Sequence, residues 1–170
     1  MTKIQDRNQC ELCGGTVVVR KTTAERPYRY EMSGLNNVLL AGIEVRECTK
    51  CGTAVPIIPR LGELHRAIVK YLVFKKDPLT GKEIRFLRKN AGLASNRFAA
   101  LLGIDPAHLS RIENGKKETL GAATDKLARA IAGAASDGDN VRDILMELAA
   151  RIEARTATFR LRQNHWDLAA

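Results

Sequence analysis

The residues whose type and spacing point most directly to chemistry are two cysteine pairs, Cys10-x-x-Cys13-Gly14 and Cys48-x-x-Cys51-Gly52. A thiolate is a soft ligand, and two intervening residues let one tight turn carry both sulfurs of a pair to a single cation. The glycine after each pair tolerates the positive φ that such turns need. Two turns complete a tetrahedron and leave no open position, so the expected chemistry is one structural ion, not hydrolysis. Zinc is the expected cofactor; iron fits the same four-sulfur geometry. Two other readings exist. A redox C-x-x-C would make the chain a thiol oxidoreductase, but such a site belongs beside a βαβ pattern, which does not occur here. The cysteines could also simply pack in a core.

A second constellation lies between Ser95 and Gly115, SNRFAALLGIDPAHLSRIENG. Ala99 is small where two helices would cross, and Gly103 lets the chain reverse. Asp105 is a natural N-cap and Pro106 a natural first helical residue. With Ile104, Leu109 and Ile112 turned inward, the second helix presents Ala107, His108 and Arg111 outward, where a recognition helix meets base edges. Arg111 can make a bidentate contact to guanine, and Ala107 can meet only a thymine methyl. Ser110, Asn114, Lys116 and Lys117 flank that helix, and Ser95 and Arg97 lie on the one before it; all suit phosphates. The plainer reading is an ordinary helical hairpin.

Charge supports the nucleic-acid reading. The 170 residues carry 28 Lys+Arg against 19 Asp+Glu, a formal charge of +9. The excess is internal: between Arg66 and Arg97 nine basic side chains face only Asp77 and Glu83. Such clusters suit phosphate, because each neutralised phosphate releases condensed counterions. A solvated helix face would have the same composition. With 45% apolar and 28% charged residues the chain is not a disordered polar one. No apolar run is long enough for a membrane span. The first residues carry no apolar run behind their charges, so no secretory signal is expected and the cytoplasm is the default location. Neither a glycine-rich phosphate loop ending in Lys-Ser/Thr nor a His-Glu-x-x-His helix occurs. His65 and His165 have no nucleophile or carboxylate partner in sequence and read as surface or packing residues.

The elements that must position these groups read as α+β: a small β-rich four-cysteine zinc domain, a linker helix, then an all-α helix-turn-helix domain with an extra C-terminal helix. Strands are expected at 16–21, 28–32 and 38–46, where β-branched and aromatic residues are punctuated by Pro27, Gly34 and Gly42. Pro56 and Pro59 break that pattern, and Leu61, Leu64, Ile68 and Leu72 then form one stripe of an amphipathic helix. Asp77-Pro78-Leu79-Thr80-Gly81 is a turn. Helices follow at 82–90, 95–102, 106–114 and 119–132, and no strand is expected beyond residue 80. A last helix is expected from Val141 to Ile152, and the segment beyond 154 has no clear period. The expected boundaries are 1–59 (zinc domain), 60–79 (linker helix and turn), 80–135 (helix-turn-helix domain) and 136–170 (C-terminal helix and tail).

Gly103-Ile104-Asp105 followed by Leu109-Ser110-Arg111-Ile112-Glu113-Asn114-Gly115-Lys116 resembles the Xre or lambda-repressor-like helix-turn-helix family. The order C-x-x-C, short β-rich insert, C-x-x-C-G, linker helix and that domain is similar to MqsA-type antitoxins, a YgiT-type zinc finger fused to an Xre-like domain. The resemblance implies a non-enzymatic, cytoplasmic, homodimeric repressor that binds double-stranded DNA at a palindromic operator. It implies zinc on Cys10, Cys13, Cys48 and Cys51, a base-reading role for Arg111, and a ribonuclease toxin as partner of the zinc domain. The chain departs from the family at Ala107, where an asparagine is usual, and at Ala94-Ser95, where Thr-Gln is usual. A regulator without a toxin partner is the alternative.

Overall fold

The structure, a computed structural model, describes residues 8–116 and 119–136, and the backbone of 159–162 and 165–168. The first part is built on an antiparallel sheet of three strands, β1 (Val17–Lys21), β4 (Glu44–Cys48) and β5 (Ala54–Ile57), in the order β1-β4-β5. Between β1 and β4 the chain makes a two-stranded ribbon of β2 (Tyr28–Arg29) and β3 (Leu39–Leu40), with a single 3-10 turn at Glu31–Ser33. Five helices follow: α1 (Leu61–Phe74), α2 (Gly81–Asn90), α3 (Ser95–Leu102), α4 (Pro106–Glu113) and α5 (Ala122–Ser136). A hairpin of β6 (Phe159–Arg162) and β7 (His165–Leu168) closes the described chain.

The α+β class is as expected, but several strands differ from their sequence reading. The segment 38–46 divides at Gly42, whose φ of +81° turns the chain from β3 into β4. The segment 28–32 yields only the two residues of β2 before Gly34 closes the 3-10 turn. Pro56 does not end the sheet: it sits inside β5 opposite Val45, because β5 is an edge strand and the missing N–H costs no ladder bond on its outer side. The β6–β7 hairpin corrects the expectation of no strand beyond residue 80. Its register sets Phe159 opposite Leu168 and Leu161 opposite Trp166, and strands of four residues are too short for their alternation to give a clear period in the sequence. The helix expected at 141–152 lies outside the described residues.

Helix boundaries follow their caps. Thr80 and Glu83 form a reciprocal capping box at α2: Glu83 Oε2 accepts from the Thr80 N–H at 2.8 Å, and the Thr80 hydroxyl accepts from the Glu83 N–H. The α1 helix, read from sequence as a linker, buries Ile68, Val69 and Leu72 in the same core as Ile84, Leu87, Phe98, Leu109, Ile112 and Ile131. That core extends into the β-rich part through Tyr30, Leu35 and Leu40. Tyr30 Oη lies 3.0 Å from His65 Nε2, and the His65 ring meets Phe86 edge-on. The packing role expected of His65 is therefore that of a junction between the β2–β3 ribbon, α1 and α2.

Buried polar groups complete the frame. The Arg129 guanidinium on α5 donates to the carbonyls of Leu72 (2.8 Å), Val73 (3.3 Å), Lys75 (2.6 Å) and Asp77 (2.7 Å), and its Nε to Asp125 Oδ2 at 2.7 Å. Asp125 Oδ1 in turn accepts from the Leu79 N–H at 2.9 Å. One side chain thus takes two carbonyls that the end of α1 leaves open and two more from the turn after it. Arg129→Met strands both Asp125 and those carbonyls, and is expected to cost about 3–5 kcal/mol in urea unfolding. A loss below about 1 kcal/mol would show that the network is dispensable.

A four-cysteine cluster and a helix-turn-helix face

Cys10, Cys13, Cys48 and Cys51 come together at one end of the sheet, with all four sulfurs within 4.8 Å of one another. Cys10 Sγ lies 3.7 Å from Cys51 Sγ, and Cys13 Sγ lies 3.5 Å from Cys48 Sγ. A cation bonded to four sulfurs at about 2.3 Å needs sulfurs about 3.8 Å apart, so the donor set fits a tetrahedral metal ion. The turns are built as the spacing requires. Gly14 N donates to Cys10 O at 2.8 Å and Gly52 N to Cys48 O at 3.0 Å, and both glycines have positive φ, 66° and 73°. The sheet fixes the two turns relative to each other: Val17 pairs with Cys48, and Thr49 N donates to Thr16 O at 3.0 Å.

The surroundings favour thiolate at Cys51 and Cys48, while Cys13, despite the Gly15 N–H, is pushed up to about 12 by the crowding of the other sulfurs around it. The Thr53 hydroxyl, 3.2 Å from Cys51 Sγ, and the Thr53 N–H hold the Cys51 thiol down at about 6. The N–H groups of Cys51 and Lys50 lower Cys48 likewise. Anion-stabilising donors of this kind are what a metal-bound sulfur needs. Gly15, which sequence reasoning passed over, matters for space. A Cβ there would stand 2.6 Å from Lys50 Cβ, 3.1 Å from Cys48 Sγ and 3.3 Å from Cys13 Sγ.

The second site is the surface of α3 and α4. The α3 helix ends at Gly103 with φ +66°, and Asp105 Oδ1 caps α4 by accepting from the N–H groups of Ala107 (2.8 Å) and His108 (3.1 Å), with Pro106 in the first turn. Leu109 and Ile112 are fully buried and Ile104 packs against the core. Ala107 and Arg111 are exposed and His108 half-buried, so the three expected base-reading residues share the outward face of α4. Ser110, Asn114 and Lys116 are exposed at its edge and end; Asn114 Nδ2 donates to Ser110 O at 2.8 Å. Gly115, φ +71°, turns the chain so that Lys116 N donates to Arg111 O, which fixes Lys116 beside the helix end. Ser95 is half-buried and Arg97 exposed, both in the first turn of α3, whose N-terminus has no side-chain cap. Lys117 lies outside the described residues.

Two features holding α4 were not foreseen. Glu113, buried at its last turn, takes both Arg88 Nε (2.6 Å) and Nη2 (2.9 Å), and this carboxylate raises the Arg88 pKa. Gly81 abuts α4 so closely that a Cβ would fall on the Ile112 carbonyl oxygen. The Arg-Glu pair is separated by 25 positions and Gly81 by 31, so no local pattern announces either.

A helix-turn-helix family model matches residues 84–132, spanning most of α2, all of α3 and α4 and the greater part of α5. That segment is a helix-turn-helix domain. No curated protein and no solved structure matches the chain. No helix among the described residues is long and apolar enough to cross a membrane.

The crowding at Gly15 gives a test of the metal site. Gly15→Ala should weaken metal retention about tenfold or more against a chromogenic chelator, the usual size of a perturbed outer shell. Gly14→Asn, at a positive φ with nothing within 4 Å of its Cβ, should leave it nearly unchanged. Equal effects would place the constraint in the turn and not at the sulfurs.

Proposed function

We propose that this protein is a zinc-containing, dimeric, sequence-specific DNA-binding repressor and the antitoxin of a type II toxin–antitoxin pair. The observation that carries the DNA reading is the outward face of α4. It offers Ala107, His108 and Arg111 from a helix that is capped at Asp105, held by Glu113–Arg88, and embedded in a segment matching the helix-turn-helix model. Arg111 reads guanine, His108 donates or accepts at the neighbouring base, and Ala107 admits a thymine methyl. Ser95, Arg97, Ser110, Asn114, Lys116 and Lys117 hold phosphates and set the register. A dimer reads two half-sites about 34 Å apart, or a multiple of that, in a palindromic operator. The protein acts by occupancy, without a catalytic residue.

Zinc is the proposed ion because four thiolates in a closed tetrahedron leave no water position, the signature of a structural site. The β-rich part has little core of its own around Val45, Cys48 and Thr22, and a bound ion supplies the folding free energy that such a part lacks. Clustering of all four sulfurs at one point also favours a metal over two redox pairs, each of which needs an accessible disulfide.

The toxin partnership rests on the resemblance to MqsA-type antitoxins. One surface feature supports it: Val19 and Val55, 62% and 54% exposed, flank Arg46 in one row across the three-stranded sheet beside the metal cluster. An exposed apolar face of this kind suits a protein partner. A small ribonuclease encoded beside this gene, whose growth arrest is relieved by co-expression, is the expected finding. Its absence selects the stand-alone regulator.

The DNA reading is tested by two substitutions. Arg111→Ala should relax base preference at one position by about 1–3 kcal/mol, while Lys116→Ala should weaken binding to all sequences alike and flatten the salt slope by about one. Selection from random duplexes followed by salt titration measures both. Equal losses on specific and random DNA for the two variants would sink the assignment of roles.

A further inference from the structure

Of the nine cations between Arg66 and Arg97, the structure separates those spent inside the fold from those facing outward. Lys75 Nζ holds both oxygens of the buried Glu83 at 2.9 Å, and Arg88 holds the buried Glu113. Lys82, Arg85 and Lys89 are different. All three are exposed, and at spacings of three and four residues they make a single stripe along α2. The stripe forms one wall of a cleft of about 770 Å³. The opposite wall is the 32–37 loop of the β-rich part, and the floor reaches Asn114 and Gly115 at the end of α4. Lys82 Nζ donates to Asn36 Oδ1 at 2.9 Å, tying the two walls together. Glu83 and Glu113 are the carboxylates that line this cleft among the described residues, and each is already neutralised by its own partner. The cleft is therefore a net positive surface, opening beside the proposed recognition helix.

We infer that Lys82, Arg85 and Lys89 form a second track for phosphodiester backbone, holding duplex DNA that flanks the half-site read by α4. The inference rests on the DNA reading above. It differs in assigning contacts to α2 and to the seam between the two parts of the chain, away from the helix-turn-helix hairpin itself. The dimensions are compatible. Seven residues of helix span about 10.5 Å, and each DNA strand presents a phosphate about every 3.4 Å of axis, so the stripe matches a short run of phosphates. Its neighbour Lys116, at the end of α4, continues the same positive surface toward the base-reading face. Such contacts carry no sequence information; they add affinity and salt dependence.

The experiment compares the full-length metal-loaded protein with the triple variant Lys82→Gln, Arg85→Gln, Lys89→Gln. All three positions are exposed and the Lys82–Asn36 hydrogen bond is a surface contact, so the thermal transition should move by little. Duplexes selected by the wild type from a random pool are used in two lengths, with and without flanks. The triple variant should select the same core sequence and bind the long duplex with a salt slope flattened by about 2–3. Trimming the flanks should cost the wild type the same increment and the variant nothing further. An unchanged slope in the variant would overturn the track while leaving the α4 reading intact. A wild type that binds no duplex would overturn both. Saturable binding of inorganic phosphate, abolished in the variant while its DNA binding stays at the wild-type level, would assign the cleft to a free anion and overturn the DNA track.

Discussion

The arrangement of the helices depends on one buried cation. Arg129 draws four carbonyls from the end of α1 and the turn after it onto α5, while Asp125 takes the Leu79 N–H from the other side. The carbonyl end of a helix carries partial negative charge, so a guanidinium there is favoured twice, by hydrogen bonds and by the dipole. Burying this charge would be costly alone; four carbonyls and a carboxylate make it tolerable. With Leu79 fixed and fully buried, Thr80 is positioned to cap α2, and the Glu83 of that cap is claimed by Lys75 from the same turn. The path from α1 into α2 thus follows from Arg129. From α2, Gly81 against the Ile112 carbonyl and Arg88 on Glu113 set the depth and tilt of α4.

The same chain of contacts reaches backward to the cysteine cluster. The β2–β3 ribbon sits on α1 and α2 through Tyr30, Leu35 and Leu40, with His65 between the Tyr30 hydroxyl and the Phe86 ring. Burial raises the Tyr30 pKa further above its ordinary value, so the hydroxyl that meets His65 is a neutral one. The β-rich part therefore rests on the helical core while its own sheet has few buried side chains. The four sulfurs gather at one end of this sheet, whose own buried side chains are few, so an ion bound there would supply folding free energy that the packing of the sheet does not.

Features governed by local rules were legible in the sequence. Each cysteine pair with its glycine is a self-contained turn, and Gly103, Asp105 and Pro106 encode the α3–α4 reversal within four positions. Leu109 and Ile112 followed from helical period alone. What escaped were facts set by partners distant in the chain. Pro56 is acceptable in β5 only because β5 is an edge, and a sequence does not show which strand lies outermost. The α1 stripe is the same whether the helix links two bodies or packs into one. Asp125 and Arg129, four apart, look like an ordinary surface pair until the carbonyls at the end of α1 are placed against them.

Charge shows the limit most clearly. Counting residues gave nine cations in a short window and could not tell a phosphate-binding surface from a solvated helix. The structure divides them on a physical criterion, whether a buried carboxylate has already claimed the cation. Lys75 and Arg88 are so claimed, and their removal would be felt as lost stability whatever the ligand. Lys82, Arg85 and Lys89 line a cleft whose carboxylates are both taken by other partners, so their charge is directed outward. Substituting the first set and reading weaker DNA binding would report loosening of the α1–α2 and α2–α4 contacts, and only the second set isolates electrostatics. The value of a basic patch as an indication of function therefore lies less in its size than in how much of it the fold has not already used.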